Sequence, residues 1–346
     1  RTNLDWQSRI GDCRQLVADQ LSGISRVVTQ LAAEIDMEVK FKKNLEESIH
    51  LELDRKGIRV REVLVLEKAG ASIEVNITKK TCMGKRECSK SVAPIVSRIL
   101  GKPMSCINRE CIQAGRPQCT LRLIESRKFE VTTGIARKAK HGNTVCGDSY
   151  SFTPIKDGKY LLALSDGMGS GTRAQEESSA VISLMENFFE AGFDQAITIK
   201  TINSVLMLRS RDEMYATADL CVIDLIDASM EFIKIGGVPS FIYNRGRVQI
   251  IKNNALPIGI LEDVQTDVIG AKLKDEDIII LATDGILDAF SSPGDAEKAL
   301  ASLIADLNTN NPQQIADTIM DRALALSGNK AKDDMTVLAG RVWSKL

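Results

Sequence analysis

Apolar residues recur along this chain in two rhythms, and the change between them divides it. From residue 4 to 53 the spacing is helical. Val17, Leu21, Ile24, Val28, Leu31 and Ile35 follow at alternating intervals of four and three, an a/d seam over nearly three heptads. Such a seam packs on its own domain or against a second copy, so a homodimer through the N-terminal helix is one expectation. Gly57, after Arg55 and Lys56, suits the end of the helical region. Alternation then takes over. Ile58–Leu66 and Ser72–Ile77, joined through Lys68-Ala69-Gly70, predict a hairpin. Val92–Leu100 predicts a short helix with Pro94 in its first turn, and Thr120–Ile124 a returning strand.

The texture changes near residue 126. Phe129–Ala136 predicts a strand, followed by the polar loop Arg137–Asn143 and then Gly147-Asp148. Ser151–Ile155 and Lys159–Ser165 flank the turn Lys156-Asp157-Gly158, which sets Asp148 and Asp166 at matching ends of adjacent antiparallel strands. Helical spacing returns after Gly171, with Ala174, Val181, Ile182, Met185, Phe188 and Phe189 on one face and Gly192 as its stop. A second helix covers Gln195–Arg209. Strands are predicted at Ala216–Asp224, Met230–Ile235, Ser240–Asn244, Val248–Lys252 and Asp277–Asp284. Helices at Glu297–Leu307 and Pro312–Ala325 precede a last strand, Met335–Trp343. Runs of strands broken by helix pairs predict an α+β fold: packed antiparallel sheets with helices outside, preceded by a smaller α+β module with a long N-terminal helix.

At 346 residues the chain suits two domains, here 1–125 and 126–346. A net charge of −1 and an aromatic share of 4% argue against nucleic acid as a partner. No apolar run approaches the roughly 20 residues that span a bilayer, and no signal peptide is visible. The chain opens on Arg1, so a fragment of a longer protein is expected. Without secretory signals the eight cysteines imply a reducing cytoplasm. Of Cys82, Cys88, Cys106, Cys111 and Cys119, only Cys106 and Cys111 have zinc-like spacing, so buried or incidental thiols are the reading taken. Lys79, Lys80, Lys85, Arg86 and Lys90 beside them read as a solvated face.

The candidate chemistry is acidic. Tyr160–Leu164 runs into Ser165-Asp166-Gly167, and Ile278–Ala282 into Thr283-Asp284-Gly285. Asp148 and Asp333 also stand at element ends. Clustered carboxylates repel unless protons or cations neutralise them. Hard divalent ions prefer oxygen ligands, and a site of aspartates alone suits Mg²⁺, which keeps several of its waters. Two such ions acidify a water and clamp a phosphoryl oxygen. No Cys stands six positions before an Arg, as a cysteine-nucleophile phosphatase requires. Neither His50 nor His141 sits in a metal-binding motif, and Asp166-Gly-Met-Gly-Ser-Gly lacks the lysine of a Walker loop.

Gly147-Asp148, Ser165-Asp166-Gly167-Met168-Gly169, Thr283-Asp284-Gly285 and Lys332-Asp333-Asp334-Met335-Thr336 resemble, in order, the motifs of the metal-dependent PP2C-type serine/threonine phosphatases. The nearest likeness is to their bacterial sigma-regulating branch and, within it, to the SpoIIE family. Supporting stretches are Thr217-Ala218-Asp219-Leu220, Gly236-Gly237-Val238-Pro239 and Leu256-Pro257-Ile258-Gly259. The resemblance implies a PP2C-like sandwich and a regulatory N-terminal module. It implies that Asp166 bridges two Mn²⁺ or Mg²⁺ ions and that the Gly167 carbonyl binds one of them. Asp148, Asp284 and Asp333 complete the sites, and Asp334 supports them. Catalysis then rests on Asp166 and Asp284 through an activated water, with no covalent nucleophile. The chain departs from its branch at Gly237, where a histidine is frequent, and shows no arginine at the phosphate-binding position of the eukaryotic relatives. The implied substrate is a phosphorylated anti-sigma-factor antagonist, whose dephosphorylation activates a sporulation sigma factor. The implied further partner is the bacterial tubulin-like division protein, and the implied parent is membrane-anchored. The alternative is a catalytically silent PP2C-like scaffold that binds partners through the N-terminal module.

Overall fold

The computed structural model describes residues 28, 40–67, 73–82, 84–107, 118–193, 195–209, 216–252, 268–290 and 296–345. They form two compact units, residues 40–128 and residues 129–345, with Val28 grouped with the second.

In the first unit, β1 (Lys40–Phe41), β2 (Val60–Glu67), β3 (Ile73–Lys80), β4 (Met104–Cys106) and β5 (Gln118–Glu125) make one antiparallel sheet in the order β1-β2-β3-β5-β4. Two helices, α1 (Lys43–Arg55) and α2 (Ala93–Leu100), bury Ile49, Leu53, Ile95 and Val96 against Val63, Val65, Val75, Ile77, Leu121 and Leu123. The hairpin and the short helix with Pro94 in its first turn are as the pattern predicts. The helix expected over residues 4–53 is not continuous. Lys40 and Phe41 pair with Glu67 and Leu66, and the Lys42 amide donates to the Val65 carbonyl, so sheet pairing interrupts any helix before Lys43. Of the seam, Val28 is helical and exposed; Val17, Leu21, Ile24, Leu31 and Ile35 lie outside the described residues.

Lys79 corrects the reading of a solvated basic face. It is 4% exposed and pairs with Glu87 Oε2 at 2.8 Å, because its strand position turns it inward; Lys80, Lys85, Arg86 and Lys90 are exposed. Cys82, Cys88, Cys106 and Cys119 are half-buried, and Cys111 lies outside the described residues.

The second unit is a sandwich. One sheet has the order β13 (Val268–Lys272), β10 (Ser229–Ile235), β9 (Ala218–Asp224), β8 (Lys159–Ser165), β7 (Ser149–Pro154). The other runs β12 (Arg247–Ile251), β11 (Ser240–Asn244), β14 (Ile278–Ala282), β15 (Met335–Ser344), β6 (Phe129–Lys138). Every pairing is antiparallel.

The apolar run of β8 serves two cores, because successive side chains face opposite sides of a strand. Leu162 and Leu164 meet Ile279, Leu281, Leu338 and Val342 between the sheets. Leu161 and Ala163 face Val181, Met185, Ile199 and Ile202 of α3 (Thr172–Ala191) and α4 (Gln195–Arg209). On the outer side of the second sheet, α6 (Ala296–Ala305) and α7 (Pro312–Leu326) cover Phe241, Ile280 and Val337. Each such side chain contributes roughly 1.5–3 kcal/mol when fully buried. Strands β4 and β13 and the short helix α5 (Asp284–Ala289) are additions to the predicted elements. Among the described residues no helix is long and apolar enough to cross a membrane.

Candidate functional site

Each sheet of the sandwich ends an apolar strand in Asp-Gly, and the two ends converge. In the first sheet, Ser149 of β7 pairs with Ser165 of β8, so Asp148 and Asp166 stand side by side just beyond the last register pair. The backbone of Asp166 is clamped by Thr217: the Thr217 amide donates to the Asp166 carbonyl at 3.0 Å, and the Asp166 amide donates to Thr217 Oγ1 at 3.1 Å. Ser165 Oγ closes the clamp by donating to the Thr217 carbonyl at 2.8 Å. Gly167 bridges to Ala216 and lies under the first turn of α3; a Cβ there would be 2.0 Å from the Ala174 carbonyl oxygen.

In the second sheet, β14 ends at Ala282 and Asp284 opens α5. A Cβ on Gly285 would fall 2.1 Å from the Asp334 carbonyl oxygen. Both Asp-Gly glycines are therefore required by close backbone approach, which draws α3 and the loop before β15 onto the site.

Asp148 is fully buried. Its Oδ2 accepts from Thr336 Oγ1 at 2.6 Å and Thr283 Oγ1 at 3.0 Å, while Thr283 Oγ1 accepts from the Thr336 amide at 2.9 Å. Its Oδ1 has no hydrogen-bond partner. Arg137 Nη2 donates to the backbone carbonyls of Cys146, at 2.9 Å, and of Asp148. Asp334 is also buried; its two oxygens accept from the amides of Lys140 at 2.8 Å and Gly147 at 2.9 Å. It thereby pulls the loop before Asp148 against β15. Asp333 is half exposed, accepts from the Asp334 amide at 2.9 Å and pairs with Lys140 Nζ at 3.4 Å.

The electrostatics report how crowded these groups are. Burial pushes Asp166 up to about 9, with Asp148 and Asp284 adding to the shift. Burial also raises Asp148 to about 6, against the pull of the Thr336 and Thr283 hydroxyls, and Asp334 raises it further. Asp284 is raised by burial, and Asp333 and Asp288 add to it. Such carboxyls need shared protons or cations between them. Among the described residues no three His, Cys, Asp or Glu side chains already stand in ligand array around a metal position. The donor set nonetheless fits a hard divalent ion: all the candidate donor atoms are oxygens, three of the carboxyls interact directly, and Asp148 keeps a buried oxygen without a donor.

A cavity of about 270 Å³ opens beside them. Asp166, Thr283 and Asp284 form one part of its wall, and Thr217, Asp219, Gly237 and Val238 another. The structure thus brings together Asp148, Asp166, Gly167 and Asp284, with Asp333 at the exposed edge near Asp284. Apolar periodicity does not reveal Thr283 and Thr336 as holders of Asp148, or the buried Lys234–Asp219 ion pair. The available signal for the last was a charge flanked by apolar residues in each of two strands, Asp219 between Ala218 and Leu220 and Lys234 between Ile233 and Ile235.

A family model described as "Stage II sporulation protein E (SpoIIE)" matches residues 156–343, and one described as "SpoIIE, regulatory domain" matches residues 1–124. Stage II sporulation protein E of Priestia megaterium is 36% identical over 342 residues, 99% of this chain and 58% of that protein. The phosphoserine phosphatase RsbU of Bacillus subtilis (strain 168) is 24% identical over 199 residues, 56% of this chain and 59% of RsbU. The chain thus spans less than two thirds of either relative's length. The solved structure of the PP2C phosphatase domain and a fragment of the regulatory domain of SpoIIE from Bacillus subtilis superposes with a TM-score of 0.75. It is 34% identical, covering 98% of this chain and 100% of that one. The chain belongs to the stage II sporulation protein E family and has the PP2C-type phosphatase fold.

Proposed function

We propose that this chain is a metal-dependent protein serine/threonine phosphatase whose substrate is a phosphoserine on an anti-sigma-factor antagonist, so that its action activates a sporulation sigma factor. The observation that carries the reading is the convergence of Asp148, Asp166 and Asp284, from strand ends of two sheets, on one buried acidic site. Asp148, Asp166, the Gly167 carbonyl, Asp284 and Asp333 would hold two Mn²⁺ or Mg²⁺ ions. When bound, these supply neutralising charge and an acidified water for attack on phosphorus.

The chain's own residues do the positioning. Thr283 and Thr336 favour the ionised form of Asp148 and aim its free oxygen. Thr217 fixes the backbone of Asp166, and Asp334 holds Gly147 and Lys140 so that Asp148 reaches it. Net hydrolysis forms one P–O bond to water and breaks the P–O bond to the seryl oxygen, with no covalent link to the chain. The substrate class is supported by the relatives: one is named a sporulation protein and another a phosphoserine phosphatase.

The test is phosphate release from a phosphoserine-bearing anti-sigma-factor antagonist, with Mn²⁺ and with chelator. Release should need the metal and vanish in Asp166→Asn and Asp284→Asn, both folded. Undiminished release in chelator, or wild-type turnover in both variants, would overturn the assignment.

A further inference from the structure

A buried charge pair puts one member, Asp219, in the wall of the cavity beside the acidic site, and none of the positioning described above uses the pair. Lys234 in β10 and Asp219 in β9 are cross-strand partners, 1% and 4% exposed. Lys234 Nζ pairs with Asp219 Oδ2 and donates to Ser240 Oγ at 2.9 Å. It also stands 5.5 Å from the centroid of the Phe232 ring. Ser240 Oγ donates to the same Asp219 Oδ2 at 3.4 Å. All these donors converge on Oδ2, and Asp219 Oδ1 is buried with no hydrogen-bond partner. That oxygen faces Gly237: a Cβ there would lie 3.3 Å from it. Asp219 and Gly237 both line the cavity that Asp166 and Asp284 line.

Stability does not account for this pair. Burying two charges carries a large desolvation penalty for each ion, and well-packed apolar replacements are often as stable or more so. An anionic oxygen buried without a donor adds a further cost. The arrangement makes chemical sense if the cavity's occupant brings the donor. A small hard cation held by few carboxylates retains several waters, and outer-shell acceptors orient them.

We propose that Asp219, held by Lys234, is a positioning residue of the acidic site, its Oδ1 accepting a hydrogen bond from the hydration shell of a divalent cation held at Asp166 and Asp284. Lys234 balances the charge of Asp219, so Asp219 orients that water without competing for the ion. This rests on the metal reading above, and the experiment separates the two.

Mn²⁺ is titrated calorimetrically into the wild-type chain, into Asp284→Asn, and into double variants whose folding is checked by circular dichroism. Two of these are apolar, Asp219→Leu with Lys234→Met and Asp219→Val with Lys234→Met, so that either folded pair decides. The third, Asp219→Asn with Lys234→Gln, keeps an acceptor without charge. Wild type binds saturably, and Asp284→Asn loses that binding. A folded apolar pair binds about 10–100-fold more weakly, the usual effect of removing an outer-shell partner, and the Asn/Gln pair recovers most of the loss. Wild-type affinity in a folded apolar pair overturns the inference and leaves the metal reading intact, as does an Asn/Gln pair no better than the apolar ones. A wild-type chain that binds no Mn²⁺ overturns the metal reading and this inference with it.

Discussion

Replacing Thr336 with valine removes one hydroxyl and little else, and it strikes the support of Asp148 directly. Thr336 is fully buried on β15, and its Oγ1 is 2.6 Å from Asp148 Oδ2. The second donor, Thr283 Oγ1, is longer at 3.0 Å and is itself held by the Thr336 amide, which the substitution leaves in place. Hydrogen bonds to a charged group contribute about 1.5–3 kcal/mol, so Thr336→Val should destabilise the ionised form of Asp148 by about 2 kcal/mol. For a unit of this size that lowers Tm by about 4–8 °C. The loss depends on charge. Asp148 is raised to about 6 by burial, and the threonine hydroxyls hold it down. The deficit should therefore be large at pH 8, where Asp148 is ionised, and small at pH 5, where it is protonated. Differential scanning calorimetry of wild type and Thr336→Val at both pH values, in chelator, is the assay. An equal loss at pH 5 and pH 8 would mean that Thr336 acts by packing alone and would refute the reasoning.

Gly285→Ala should cost about 3 kcal/mol, at the high end for overpacking, because its Cβ meets the Asp334 backbone at 2.1 Å; chemical denaturation reads the loss, and a value near zero counts against the close approach. With metal chelated, the raised values of Asp148, about 6, and Asp166, about 9, mean that the folded chain binds protons the unfolded chain has lost. Stability is then greatest below the unfolded value of 3.8 and falls as pH rises, first through about 6 and then through about 9. Asp148 alone accounts for roughly 3 kcal/mol of that fall. Melting curves from pH 4 to 9 should show it in chelator and show less of it with Mn²⁺; a flat chelated profile would contradict the buried charges. Tyr243→Phe removes a buried bond to the Leu307 carbonyl at 2.6 Å, far from the acidic residues in its hydrogen bonding, so it should cost about 1 kcal/mol and leave phosphate release unchanged. A large loss of turnover would show that the second helical layer tunes the site.

The legible parts of this chain are those whose signal is local. The run Leu161–Leu164 and its echo at Ile278–Ala282 announced buried strands, and the turn at Lys156–Gly158 brought Asp148 beside Asp166. Other features depend on pairing across the fold. β1 exists because Lys40 and Phe41 meet Glu67 and Leu66, and nothing within the helical pattern marks that break. Asp284-Gly285 reads as a turn, yet it opens α5. Thr283 occupies the cap position there without capping, since its hydroxyl is turned to Asp148. Lys234 and Asp219 lie 15 residues apart and make sense only as cross-strand neighbours.

The central claim is that Asp148, Asp166, Asp284 and Asp333 surround divalent ions. Anomalous diffraction from a Mn²⁺-soaked crystal of this chain tests it most directly. Two manganese peaks are expected at these carboxylates, both beside Asp166. Manganese bound elsewhere, with the Asp166–Asp284 pair empty at saturating metal, would contradict it.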